Sequence, residues 1–144
     1  MINSANILKS YGLRQTKFRR SLIDLFYKSN SLTAEDVKNK IKIKSDKVTI
    51  YRALESFEKS GLIHKVPDQD NLTRYALCES ECNTLCEPKC RPSDHIHNHA
   101  HFICKKCSDT FCIQEIEHPI IKKSEKYIVS EIELTLKGIC VNCK

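Results

Sequence analysis

The chain has 144 residues, with 24 Lys and Arg against 18 Asp and Glu, nine Cys and only three Gly. That length suits one domain or two small ones with a modest core. Three glycines leave no phosphate-cradling loop, and no nucleophile–base pair stands outside the Cys and His clusters, so an enzyme, or a site for an organic cofactor, is not expected.

The first 77 residues carry 15 basic and 8 acidic side chains, the remainder 9 and 10. A basic first half suits a polyanion such as nucleic acid. MINSANILKSYG (1–12) has no apolar run of the length a signal peptide or membrane span needs. A cytoplasmic chain with no membrane partner is expected, and there Cys pairs more often signal metal than disulfide. Residues 16–28 place Phe18, Leu22, Leu25 and Phe26 on one helical face. Thr33 and Asp36 have capping-box spacing, and Ala34, Val37 and Ile41 form a second apolar stripe. Over 45–60 Ser45 is the natural N-cap, Ile50, Ala53, Leu54 and Phe57 face inward, and Gly61 stops the helix. Lys47, Arg52, Glu55 and Lys59 take the opposite face. LIHKV (62–66) and LTRYAL (72–77), around the turn-rich PDQDN (67–71), read as a hairpin. Three helices and a hairpin outline a winged helix, whose last helix enters the major groove.

All nine cysteines lie between Cys78 and Cys143, and all six histidines between His64 and His118. Cys104 and Cys107 form one CxxC, Cys140 and Cys143 another. Four thiolates give zinc a closed tetrahedral shell with a structural role. Between the pairs, TFCIQ (110–114) and IVSEIELTL (128–136) read as strands, with a short helix starting at Pro119 between them. His97, His99 and His101 alternate, so on a strand they share one face. Cys82, Cys86 and Cys90, interrupted by Asn83 and Pro88, are expected in an irregular loop with occasional metal binding.

GLRQTKFRR (12–20), TAEDV (33–37), VTIYRALESFEKSGLIHKV (48–66), HAHFICKKC (99–107) and GICVNCK (138–144) resemble the ferric uptake regulator family over nearly the whole chain. The resemblance implies an α+β fold: an N-terminal winged-helix DNA-binding domain (1–77), a Cys/His-rich hinge loop (78–98) and a small α/β dimerisation domain (99–144). It implies a homodimeric, metal-dependent repressor of metal-uptake genes on a palindromic DNA operator. Structural zinc would sit at Cys104, Cys107, Cys140 and Cys143. At the second, co-repressor site, iron-type sensors use a His and a Glu where this chain has Ser31 and Ala76. The zinc uptake regulators use positions held here by His64, Cys78, His99 and His101, a four-coordinate set suited to zinc. Cys112 stands where iron-type relatives carry a Glu ligand; joining the second site or packing as a small apolar side chain are its two readings, and packing is the one expected. A third family site would need donors where Asn98, Ala100 and Ile132 stand, and is expected to be absent. His118 is expected at a surface or helix start.

For DNA, Tyr51 and Arg52 match family positions that face the duplex, and Lys47, Thr49, Arg19 and Lys17 are candidates for backbone contacts. An iron or peroxide sensor on the same scaffold is the near rival. A cysteine-rich zinc-buffering or redox protein is the distant one, and it leaves the basic helical half unexplained.

Overall fold

The computed structural model describes residues 3–78, 99–113, 115–116, 125–129 and 132–144. The Cys82–Cys90 loop, His95, His97, Asn98, His118 and the helix expected from Pro119 lie outside the described residues.

The first half folds around one apolar cluster. Four helices run α1 (Ser4–Ser10), α2 (Lys17–Tyr27), α3 (Ala34–Lys40) and α4 (Lys47–Lys59), and the two-residue strand β1 (Leu32–Thr33) precedes α3. Strands β2 (Ile63–Val66) and β3 (Arg74–Leu77) close the wing. Leu8, Leu22, Ile23, Phe26, Ile50, Leu54 and Phe57 are almost wholly buried in the cluster. Ile23 turns inward where Leu25 was expected to, and Leu25 is only half-buried. The short α1 has too few apolar residues for its period to stand out, and it is held by Leu8 alone at full burial.

Helix starts follow their caps. Thr16 accepts from Arg19 N–H at 3.2 Å, and Thr33 and Asp36 complete the reciprocal capping box at 3.0 and 2.9 Å. Asp46, not Ser45, caps α4, accepting from Thr49 N–H at 2.7 Å. A carboxylate one residue nearer the first turn meets the orphan amide groups directly, and Thr49 in turn holds the Asp46 carboxyl below its ordinary range, with help from Arg52. Gly61, at φ +78°, ends α4 in a Schellman turn: Gly61 N–H donates to Glu58 O at 3.0 Å and Leu62 N–H to Phe57 O at 3.0 Å. Thr33→Ala should lower stability by about 1 kcal/mol, read as a shifted urea midpoint with unchanged slope. An unshifted midpoint would show the box to be idle.

The wing sheet runs β1-β3-β2, all antiparallel, with His64 directly opposite Ala76. The second sheet runs β5-β4-β6, from β4 (Ala100–Cys104), β5 (Thr110–Ile113) and β6 (Thr135–Gly138). β4 pairs antiparallel with β5 and parallel with β6, and a 3-10 turn at Val141–Cys143 follows. The strand expected over 128–136 forms instead at Thr135–Gly138. β4 ends at Cys104, and its partner must end beside Cys140 for the two thiol pairs to meet. Ile128 and Val129, expected within that strand, are exposed and outside it. Among the described residues, no helix is long and apolar enough to cross a membrane.

Candidate metal centre

The thiol cluster grows out of the second sheet. Cys104 ends β4, a tight turn carries Cys107, and β6 delivers Cys140 and Cys143 to the same corner. Their four sulfurs lie within 4.8 Å of one another, and Cys107 Sγ is 3.9 Å from Cys140 Sγ. Around a tetrahedral zinc, with bonds of about 2.0–2.3 Å, neighbouring donors sit roughly 3.3–3.8 Å apart. Backbone N–H groups aim at Cys104; Cys140 N–H donates to its Sγ at 3.4 Å. Hydrogen bonds from Cys107 and Cys140 bring its thiol down to about 6. Cys143 is pushed up to about 12, first by its contact with Cys140, and Cys107 is raised by burial and neighbouring thiols despite a backbone hydrogen bond from Asp109. Four thiolates crowded this closely need a cation, so the donor set fits zinc.

The second cluster spans the two halves of the chain. His64 projects from β2, where the small Ala76 directly across β3 leaves room for its ring. His64 is buried, at 5 % exposure. From the second sheet come His99 and His101, two residues apart and so on one face, and Cys112, the cross-strand partner of His101. His64 Nε2 lies 3.3 Å from His99 Nε2, 3.5 Å from His101 Nε2 and 3.4 Å from Cys112 Sγ. These three separations, all from His64 Nε2, fit neighbouring donors on one zinc ion, and all four donor atoms lie within 4.8 Å of one another. Together the four donors form the second of two such groups among the described residues.

Cys78 sits elsewhere than the sequence suggested. Its Sγ is 3.4 Å from His64 Nδ1, on the far side of the ring from the other donors. The thiol grouped with the three histidines is Cys112, for which packing was the preferred of two expected roles. The reason is register: antiparallel pairing sets Cys112 opposite His101, whereas Cys78 leaves β3 behind the imidazole. The one sequence signal for Cys112 was its place at a family ligand position. Both thiols border a cleft of about 650 Å³ between the helices and the second sheet, lined also by Tyr11, Leu77 and Phe111.

Elsewhere on the winged helix, α4 presents Lys47, Thr49, Tyr51 and Arg52 to solvent, with Lys17 exposed on α2. Val48 joins them, 54 % exposed, one turn from Tyr51. Arg19 is half-buried and donates to Ser56 Oγ on α4 at 3.2 Å, so part of its guanidinium braces the helix.

A winged-helix unit joined to a small sheet, with one donor set within the sheet and another between the halves, is the architecture of a metal-dependent transcription regulator. The sequence profile of the ferric uptake regulator family matches residues 10–143. The chain is 28 % identical to the ferric uptake regulation protein of Bordetella parapertussis, covering 95 % of this chain and 94 % of that one. It is 30 % identical to that of Neisseria gonorrhoeae, over 95 % and 90 %. The fold matches the Vibrio cholerae ferric uptake regulator at a TM-score of 0.60, with 16 % identity over 96 % of this chain and 100 % of that one. It matches a zinc uptake regulator solved with zinc and DNA at 0.60, with 19 % identity over 96 % and 88 %. This chain belongs to the ferric uptake regulator family, whose members regulate transcription and are not enzymes.

Proposed function

We propose that this regulator is a zinc-responsive repressor that binds a palindromic DNA operator as a homodimer, in the cytoplasm, and controls metal-uptake genes. The observation that carries the reading is the second cluster: three imidazole nitrogens and one thiol within 4.8 Å of one another. Six-coordinate iron or manganese asks for more donors and for oxygen among them, and none of these four is a carboxylate. The curated relatives carry the ferric name. Metal analysis of protein loaded from an equal mixture of zinc and ferrous iron separates the two readings; preferential iron at the second site would sink this one.

Bound there, zinc supplies one positive centre shared by donors from both halves. The inner donors are His64, His99, His101 and Cys112. With the metal on Nε2, His64 carries its proton on Nδ1, which lies 3.4 Å from Cys78 Sγ and would orient the ring by donating to it. His64 then moves only with the second sheet, so the winged helix and the C-terminal unit (99–144) share one preferred arrangement. The four-thiol cluster holds a separate, structural zinc. Exposed apolar side chains of the C-terminal half, Ile128 at 99 %, Val141 at 77 % and Tyr127 at 71 %, supply apolar surface that a second copy of the chain could cover.

α4 is the reading helix. Tyr51 meets a thymine methyl or a phosphate, Arg52 a phosphate or a guanine edge, and Lys47, Thr49, Lys17 and Arg19 flank them on the backbone. On a duplex selected from a random pool in zinc, Arg52→Ala should weaken binding by about 1–3 kcal/mol. A lost phosphate contact also lowers the salt slope by roughly one. Anisotropy titrations at several salt concentrations check this, and affinity and slope equal to the parent's would remove α4 from the interface.

A further inference from the structure

A second set of contacts, with no metal donor in it, also joins the wing to the second sheet. Asp109 accepts from the Ser31 hydroxyl at 2.7 Å and from Asn30 Nδ2 at 2.9 Å. Ser31 Oγ in turn accepts from Thr110 N–H at 3.2 Å, a proton shared with Asp109 Oδ1 at 3.0 Å, and from Arg74 at 3.4 Å, so its one proton and both lone pairs are engaged. Thr110 Oγ1 donates to Pro67 O at 2.8 Å. Arg74 is itself placed by Asp68 at 2.8 Å and lies 3.8 Å from Asp109. Ser31 and Thr110 are only 4 % and 1 % exposed. Asn30 is exposed and Asp109 partly so, but the buried pair Ser31 and Thr110 at the centre of the network has its partners present, and satisfied buried polar groups favour one arrangement.

Its position ties it to the metal pocket. Thr110 and Cys112 are two residues apart on β5 and share a face. Thr110 is fastened to Pro67, and Cys112 lies against His64, three residues back along the wing. Asp109 is aimed by the thiol turn: Ser108 takes a left-handed φ of +60°, its N–H donates to Cys104 O at 2.9 Å, and Cys104 N–H donates to Asp109 O at 3.0 Å.

We propose that Asp109 is a positioning residue: with Ser31, Asn30 and Arg74 it forms a metal-independent clasp that sets His64 against His99, His101 and Cys112 before any metal arrives. This rests on the reading of that cluster as a metal site. A site already assembled binds more tightly than one that must first be gathered.

The test uses full-length protein with zinc in the four-thiol site, titrated with Co2+ and followed by its visible absorption. Asp109→Ala and Ser31→Ala should each weaken the second cobalt by about tenfold, with the band shape unchanged because no ligand is touched. Asp109→Asn, which keeps an acceptor for Ser31, should recover part of the loss. The double variant should lose less than the product of the two single effects, since the two residues share one bond. Hydrogen exchange on the same protein without cobalt should show residues 110–113 less protected in both variants. Cobalt affinity and exchange equal to the parent's would overturn the clasp, as would a double variant losing the full product of the two single effects. If Asp109→Ala fails to fold, Ser31→Ala decides. If the parent itself takes no second cobalt, the metal reading fails, and the exchange comparison still decides the clasp.

Discussion

Cys104→Ser will cost the second sheet its fold while the winged helix still melts as a cooperative unit. Among the described residues of the C-terminal half, the buried apolar side chains are only Ala100, Ile103, Cys104 and Cys140, against fourteen residues in the cluster of the first half. Such a sheet has too little apolar area to offset its chain entropy. A structural zinc supplies about 10–16 kcal/mol in small metal-folded units, comparable to the whole stability of a domain at about 5–15 kcal/mol. Hydrogen exchange followed by mass spectrometry should show β4, β5 and β6 unprotected in Cys104→Ser, with α2 and α4 protected. Removing the metal from the parent should do the same. Protons compete for this site: Cys107 and Cys143 are held protonated at neutral pH, so binding displaces at least their two protons. Metal affinity should therefore rise with pH, by about 100-fold per unit for two protons, and fall on acidification. A Cys104→Ser protein with the parent's exchange pattern and zinc content would refute the structural role.

His64→Ala should lower the second site's metal affinity by more than about 100-fold, beyond the 10- to 100-fold that losing an outer partner costs. It should leave one tight zinc per chain, at the thiol cluster, and DNA binding that no longer responds to zinc. The two candidate thiols give the sharper contrast. With zinc in the four-thiol site and Co2+ in the second, Cys112→Ser should abolish the sulfur-to-cobalt charge-transfer band. Cys78→Ser should keep the band and weaken affinity by about 10- to 100-fold, because only the partner of His64 Nδ1 is lost. The reverse outcome, a band lost with Cys78 and kept with Cys112, would place the metal on the other side of the imidazole.

Much of this was legible locally. The stripes of α2 and α4, the capping box at Thr33 and Asp36, and the stop at Gly61 depend on neighbours within a few residues. Each matches what was read, apart from Ile23 replacing Leu25 and Asp46 replacing Ser45. The two CxxC pairs announced their shared cluster because thiol spacing within a turn is itself a local property. The alternation of His99 and His101 likewise reveals a common face without any knowledge of what lies opposite.

Three features needed the folded chain. Cys112 joins the histidines through its pairing with His101, and a slip of one residue would have turned it to the other face. β6 forms at Thr135–Gly138 because it must meet β4 beside the thiol cluster, a demand that its own alternation does not carry. The bond from Ser31 to Asp109 closes over 78 residues and depends on how the two halves of the chain are set together. Residue type and spacing determined which side chains are able to bind metal and which faces of the helices are apolar. Strand register and the seating of one half against the other decided which thiol faces His64 Nε2 and which carboxylate fastens the wing, because those contacts are made across space rather than along the chain.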